Sequence, residues 1–302
     1  MEEKFKSGFV SVIGRTNVGK STIINALVGE KVAAVANKTQ TTRTAIRGIV
    51  NRRNSQIIFI DTPGIHKPKT KLNEVMIETA FTFVQDVDVI LFVIDGTSKE
   101  IGRGDKKILE KIKEAGRKTI LVINKIDLVQ NKEELLKLID LYQKEYNYAA
   151  VIPVSGTKNQ NLEIILDEIE KNLKEGPAYY DVEEYTDQTL RQLVEETLRE
   201  KALKLLDDEV PHGIFIETEK MKLRKTKEKE PIYDVEAVIY TIRESHKGII
   251  IGKGGSMLKK IGSYAREDLE RMLNTKVNLK VWVKVKEDWQ NDEKIVKKFK
   301  LQ

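Results

Sequence analysis

The chain has 302 residues, with 40% hydrophobic and 33% charged side chains, a net charge of +6 and no cysteine. This length allows two globular domains. The missing cysteines exclude a disulfide scaffold and thiolate metal sites, and three histidines argue against a histidine metal cluster. No apolar run reaches the roughly 18 residues of a membrane span, and the start lacks a signal-peptide core, so a cytoplasmic protein is expected. Charge is unevenly placed. Residues 211–302 hold 21 Lys+Arg against 14 Asp+Glu, a balance of +7, while the first 210 residues balance at −1. A phosphate-rich partner and a lysine-coated soluble surface both explain that excess.

Residues 9–13 form a short apolar run that suits a buried strand, and residues 21–27 continue at helical spacing. Between them lies Gly14-Arg15-Thr16-Asn17-Val18-Gly19-Lys20-Ser21, a full G-x-x-x-x-G-K-[ST] match followed by Thr22. Glycines let backbone N–H groups turn inward as an anion nest, and the helix N-terminus adds partial positive charge. Lys20 would reach the β- and γ-phosphates, and the Ser21 hydroxyl would ligate Mg²⁺.

The polar run 38–43 follows, rich in threonine. A nucleotide switch needs a threonine hydroxyl here on magnesium. Residues 45–50 and 56–60 read as strands around a polar turn, and the second runs into Asp61-Thr62-Pro63-Gly64. A carboxylate at a strand's carboxyl end can hold a magnesium-bound water. Gly64 can offer its N–H to a γ-phosphate because no side chain blocks the approach.

Further on, a helix is predicted over 70–86, a strand over 87–95, a lysine-rich amphipathic helix over 104–116 and a strand over 119–123. Near-continuous apolar strands separated by helices indicate a mainly parallel sheet covered on both faces. The last strand ends in Asn124-Lys125-Ile126-Asp127. The Asp127 carboxylate can accept from guanine N1–H and the exocyclic amine, while Asn124 meets the N7/O6 edge. Adenine would leave that carboxylate unpaired, a mismatch worth roughly 10⁴ to 10⁵ in discrimination. A helix over 132–146, a strand over 151–154, the loop Ser155-Gly156-Thr157 and a helix over 161–174 close the domain. The loop should touch the base through backbone groups. All these motifs fall at strand carboxyl ends, where such sheets bind ligands.

Together they resemble translation-factor-class GTPases. In place of the water-orienting glutamine that Ras-like enzymes carry after D-x-x-G stands Ile65. By the same resemblance, Asn17 would help hold a potassium ion that supplies positive charge near the phosphates.

Gly176-Pro177 breaks the last helix and a short acidic stretch follows, so residues 177–186 read as a linker between a GTPase domain at 1–176 and a second domain at 187–302. The second domain reads as a helix over 187–206, strands over 212–219 and 232–243 joined by the charged run 222–230, a glycine-rich segment, a helix to about residue 272 and a strand over 277–285. The glycine segment contains Gly248, Ile251 and then Gly252-Lys253-Gly254-Gly255-Ser256, a G-x-x-G loop between a short and a longer helix. Such a loop lets an RNA backbone approach closely. Within an α-β-β-α-α-β order it resembles a type II KH domain. Trp282, Trp289 and Tyr264 are expected to pack rather than to stack on bases.

A KH domain behind such a GTPase resembles the Era family of bacterial ribosome-associated GTPases over nearly the whole chain. The expected fold is an α/β P-loop GTPase domain with a mixed, mainly parallel sheet and helices on both faces, followed by an α+β type II KH domain. The resemblance implies a GTP- and GDP-binding, GTP-hydrolysing switch with Mg²⁺ and K⁺. It implies binding at the 3′ end of 16S rRNA, action on the 30S subunit during small-subunit maturation, a monomer, and peripheral association with the inner membrane. Asn17, Lys20, Thr42 and Gly64 would act on hydrolysis, and Ser21, Thr42 and Asp61 would serve magnesium. Thr42 is preferred to Thr41 because Thr-Arg is how the family's switch reads, with one residue of latitude. The competing readings are a tRNA-modification GTPase, which would need an added catalytic residue or cofactor domain, and an RNA-binding module whose nucleotide site is structural.

Overall fold

Strand β1 (Lys6–Ile13) is the axis of the first sheet, with β3 (Ser55–Asp61) parallel on one side and β4 (Val89–Asp95) parallel on the other. The computed structural model describes residues 4–300 except 37, 39, 40, 66, 67 and 69. Beyond β3 lies the antiparallel β2 (Ile46–Arg52), and beyond β4 come β5 (Lys118–Asn124) and β6 (Ala150–Pro153), both parallel. A two-residue strand β7 (Lys174–Glu175) pairs with the start of β1; it is too short to leave a periodic signal. Every residue of β3 is buried, which explains its unbroken apolar run. Helices α1 (Lys20–Val28), α2 (Lys71–Gln85), α3 (Arg103–Ala115), α4 (Lys132–Glu145) and α5 (Leu162–Asn172) connect these strands. Two separate apolar clusters result. One packs Ile23 and Ile24 of α1 and Ile165 and Ile169 of α5 with Val10, Val12 and Phe59. The other packs Ile108 and Ile112 of α3 and Tyr142 of α4 with Phe92 and Leu121. They occupy the two faces of the sheet, because strand side chains alternate.

Register fixes which residues reach the sheet's carboxyl edge. Val12 pairs with Asp61, and Asp95 pairs with Asn124. Residues 177–187 run along β2 and the start of β3: Ile49 donates to the Tyr185 carbonyl, the Thr186 hydroxyl donates to the Arg47 carbonyl, and Gln56 of β3 accepts from the backbone of Tyr179 and Tyr180. The first compact unit spans residues 1–33, 42–187 and 298–302.

The second unit comprises residues 34–41 and 188–297. Its helix α6 (Leu190–Leu205) starts in a capping box of Thr189 and Gln192. Buried charges of α6 reach Val35 and Thr41: the Arg199 guanidinium donates to the Thr41 carbonyl and Glu200 accepts from the Val35 N–H. Strands β8 (Phe215–Lys225) and β9 (Pro231–Thr241) form a long antiparallel hairpin, and β10 (Lys276–Val285) lies parallel to β9. The hairpin extends well into the charged run read as a loop, because pairs such as Arg224–Asp234 satisfy its charges across the strands. Helices α7 (Glu244–Ile251) and α8 (Ser256–Leu273) follow β9, and α9 (Glu293–Lys300) ends the described chain. The α-β-β-α-α-β order is as the sequence suggests. The core gathers Val194 and Leu198 of α6, Ala237 and Ile239 of β9, and Ile261, Ala265 and Leu269 of α8.

Candidate nucleotide and RNA sites

Helix α1 begins without a side-chain cap; its N-cap is Gly19 at φ 97°. A Cβ at Gly19 would fall 2.2 Å from Asn124 Nδ2, and one at Gly14 would fall 2.4 Å from the Val93 carbonyl oxygen. Only glycine admits the loop between β1 and α1 this close to the neighbouring strands. Asn17 sits at the exposed crest with φ 64°, while Val18 is buried. Lys20 is buried, and its Nζ donates to the carbonyls of Gly14 (3.2 Å) and Arg15 (3.1 Å). Burial pulls the Lys20 pKa down to about 8 against the opposing pull of Asp61. An ammonium folded back on loop carbonyls is a site prepared for an anion.

The oxygens expected to serve magnesium converge. Ser21 Oγ donates to Asp61 Oδ2 at 2.7 Å, Thr42 Oγ1 to the same oxygen at 3.0 Å, and the two hydroxyls are 3.0 Å apart. Cis ligands of an octahedral magnesium at 2.0–2.1 Å are about 3 Å apart, so this all-oxygen set suits that ion. Thr41 points elsewhere: its hydroxyl donates to the Lys38 carbonyl at 2.7 Å. Thr39, also in the switch run, lies outside the described residues. The Thr62 hydroxyl donates to the Val12 carbonyl, and Pro63 is buried. A Cβ on Gly64 would come within 2.9 Å of Thr16 Cα, so the D-x-x-G turn and the phosphate loop touch backbone to backbone. Ile65 extends that contact by donating to the Gly14 carbonyl at 3.3 Å.

Asn124 joins three segments. Its Nδ2 donates to the Val18 carbonyl at 2.8 Å and its Oδ1 accepts from Gly156 N–H at 3.0 Å. Lys125, at φ 67°, pairs with Asp95 at 2.6 Å. Asp127 is exposed and accepts from the Ser155 hydroxyl at 2.5 Å. Ser155 also contacts the Thr157 hydroxyl at 3.2 Å. Thr22, half-buried, would meet a Cβ on Gly156 at 3.5 Å. The first unit thus assembles every nucleotide-site residue read from the sequence that falls in its described part.

Two contributors escaped the sequence reading. Asp95 ends β4 as Asp61 ends β3, so the rule that strand carboxyl ends carry function could have marked it. Asp105 left no such signal. It is fully buried in the first turn of α3, its Oδ2 is 2.9 Å from Arg15 Nε, and the Tyr142 hydroxyl faces it.

In the second unit, Gly252, Gly254 and Gly255 have φ of 72°, 60° and 79° and link α7 to α8. Gly252 also lies against Met257, where a Cβ would meet Cβ at 2.8 Å; Gly254 and Gly255 face open space. Gly248, Lys253 and Ser256 are exposed, and Ile251 is half-buried. Beside the loop, Gly255, Leu258, Lys259, Gly262 and Arg266 form one wall of a groove of about 340 Å³, and Leu279 and Val281 of β10 form the other. Trp289 is fully buried as expected, its indole donating to the Gly213 carbonyl at 2.9 Å. Trp282 and Tyr264 are each 43% exposed, which corrects the packing expectation for both.

A family profile described as "50S ribosome-binding GTPase" matches residues 9–125, and a KH-domain profile matches residues 209–290. The chain is 49% identical to GTPase Era of Clostridioides difficile strain 630 over 98% of both sequences. The chain belongs to the Era GTPase family. Era of Caldanaerobacter subterraneus is likewise 49% identical, over 98% of this chain and 97% of that one. Among solved structures, Era in complex with MgGDPNP and nucleotides 1506–1542 of 16S ribosomal RNA superposes with a TM-score of 0.92 at 39% identity, covering 98% of each chain. An Aquifex aeolicus Era variant bound to GDP and aluminium fluoride also gives 0.92, at 38% identity over 98% and 99% of the two chains. Membership makes the protein a GTP-hydrolysing enzyme with a mixed α/β P-loop domain and a C-terminal KH domain.

Proposed function

We propose that the protein is a GTP-dependent switch that binds the 3′ end of 16S rRNA through its KH domain and acts in maturation of the small ribosomal subunit. The observation that carries this reading is the pairing, in one chain, of a guanine-type site with a glycine loop bearing an exposed lysine, in the family whose solved member holds that RNA. Ser21 and Thr42, with Asp61 beside them, would hold magnesium, which shields phosphate charge when bound. Lys20 leaves its carbonyl partners for the β- and γ-phosphates, Gly64 offers its N–H to the γ-phosphate, and Asn124 and Asp127 select guanine. Ile65 is buried and apolar, so it orients no water. Asn17 stands exposed at the loop crest, where it can help seat potassium against the phosphates. Matched potassium and sodium buffers test that part by GTP turnover, which should be faster in potassium.

Action as a monomer in the cytoplasm and peripheral membrane contact rest on the family resemblance; no helix among the described residues is long and apolar enough to cross a membrane. The test of the whole reading is crosslinking and sequencing of RNA bound with a GTP analogue and with GDP. Enrichment of the 16S 3′ end with the GTP analogue supports it, and equal recovery of unrelated RNA in both states contradicts it.

A further inference from the structure

Strand β10 carries two different faces. Val277, Leu279, Val281 and Val283 turn toward the core, and Leu279 and Val281 line the groove beside the glycine loop. Lys276, Asn278, Lys280, Trp282 and Lys284 alternate with them and are all exposed. β10 is an edge strand, so only its own width separates the groove from this outer face. Trp282 stands in register with the fully buried Val238 of β9, yet 43% of it stays open to solvent. Lys280 is in register with Glu236, but that carboxylate is 3.4 Å from Lys220, and among the described residues no carboxylate lies within ion-pair distance of Lys280. Lys284 pairs with Glu219 at 2.9 Å between two exposed side chains, a solvent-screened contact open to exchange.

We infer that the outer face of β10, through Lys280, Trp282 and Lys284, is a second contact for single-stranded RNA leaving the groove. An aromatic ring between two lysines on one strand face is a base-stacking platform flanked by phosphate partners. Lys280 and Lys284 are four residues apart, about 13 Å along a strand, which spans roughly two nucleotides. The charge excess of residues 211–302 has the sign such a strand requires. This inference rests on the RNA-binding reading of the KH domain and extends its footprint across the edge of the sheet.

The chain has two tryptophans, and Trp289 is buried, so acrylamide quenching of the native protein reports chiefly on Trp282. A short RNA of about four nucleotides fills the loop groove alone, and one of about 20 can continue over β10. The long RNA should protect Trp282 from quenching and the short one should not. Lys280→Glu with Lys284→Glu should weaken the long RNA roughly tenfold or more and flatten its salt dependence by about two units of slope. Short-RNA affinity and GTP turnover should stay unchanged. If the long RNA binds tightly, leaves Trp282 open to quenching and ignores the double substitution, the outer-face contact is wrong while RNA binding at the loop stands. If neither RNA binds the parent protein, both readings fall. If Trp282 becomes protected with rising protein concentration and no RNA, the face belongs to a second copy of the chain and the inference is overturned.

Discussion

The Nε of Arg15 lies 2.9 Å from Oδ2 of Asp105, ninety residues apart in the chain, and ties the phosphate loop to the first turn of α3. The arginine stem crosses Gly104, where a Cβ would meet Arg15 Cδ at 2.9 Å, and its guanidinium lies over Gly102, where a Cβ would meet Nη1 at 3.1 Å. The Arg15 backbone bridges to Ile65 just beyond D-x-x-G, so one residue joins loop, switch turn and helix. Burial pushes the Asp105 carboxyl up, and the Arg15 charge works against that shift.

Removing the carboxylate with Asp105→Ala should therefore do more than open a small cavity. Losing one partner of a buried pair costs about 3–5 kcal/mol. With Arg15 one-third exposed, about 2–3 kcal/mol is the expectation, read by denaturant unfolding. GTP and GDP affinity should fall together, since the loop is misplaced for both. Arg15→Lys, with Asp105 intact, should cost less than Asp105→Ala, because an ammonium keeps the charge opposite the carboxylate without the fork.

The second expectation concerns protons. With the Lys20 pKa near 8 in the nucleotide-free protein, burial disfavours the ammonium. The unfolded chain, titrating at 10.5, binds more protons between about pH 8 and 10.5, so the Lys20 contribution to stability rises across that window. Triphosphate restores the ammonium. Nucleotide binding should then take up protons at pH 8.5 to 9 and little at pH 6.5, as seen by calorimetry in buffers of different ionisation enthalpy. Equal, near-zero uptake at both pH values would show Lys20 already charged.

Third, Asp127→Asn should shift preference from guanine to xanthine nucleotides, since the amide offers a donor to the xanthine O2. The substitution keeps an oxygen to accept from Ser155, so melting temperature should barely move. Competition between GTP and xanthosine triphosphate for a labelled nucleotide checks it. In the parent protein, ATP should compete poorly.

Much of this architecture is legible in the sequence because the motifs report close approaches. Gly19 must clear Asn124, and Gly64 must clear Thr16, so glycine is written at both positions. Strand ends are legible because a carboxylate or amide interrupts an apolar run at Asp61, Asp95 and Asn124. Asp105 is not, because an acid in the first turn of a lysine-rich helix looks like an ordinary solvated residue that favours the helix dipole. Its burial depends on Arg15 and Tyr142, which only the tertiary fold brings near. Trp282 departs from the packing expectation for a different reason. Its place in the Lys-Asn-Lys-Trp-Lys alternation of β10 puts it on the solvent face, and the period of the strand outweighs the usual burial of a large aromatic ring.

The most direct test of the central claim is a titration of labelled 16S 3′-end RNA, with a GTP analogue present, against the parent and a Lys253→Asp, Gly254→Asp double variant. Gly254 has open space around it at φ 60°, and Lys253 is exposed, so the two charges act at the loop itself. RNA affinity should fall by about two or more orders of magnitude, from two lost phosphate contacts plus repulsion. GTP affinity should hold, because the residues proposed to hold the nucleotide lie in the first unit. A scrambled RNA should bind the parent weakly. If the double variant binds the 3′-end RNA as tightly as the parent does, the glycine loop is only a turn and the account is contradicted.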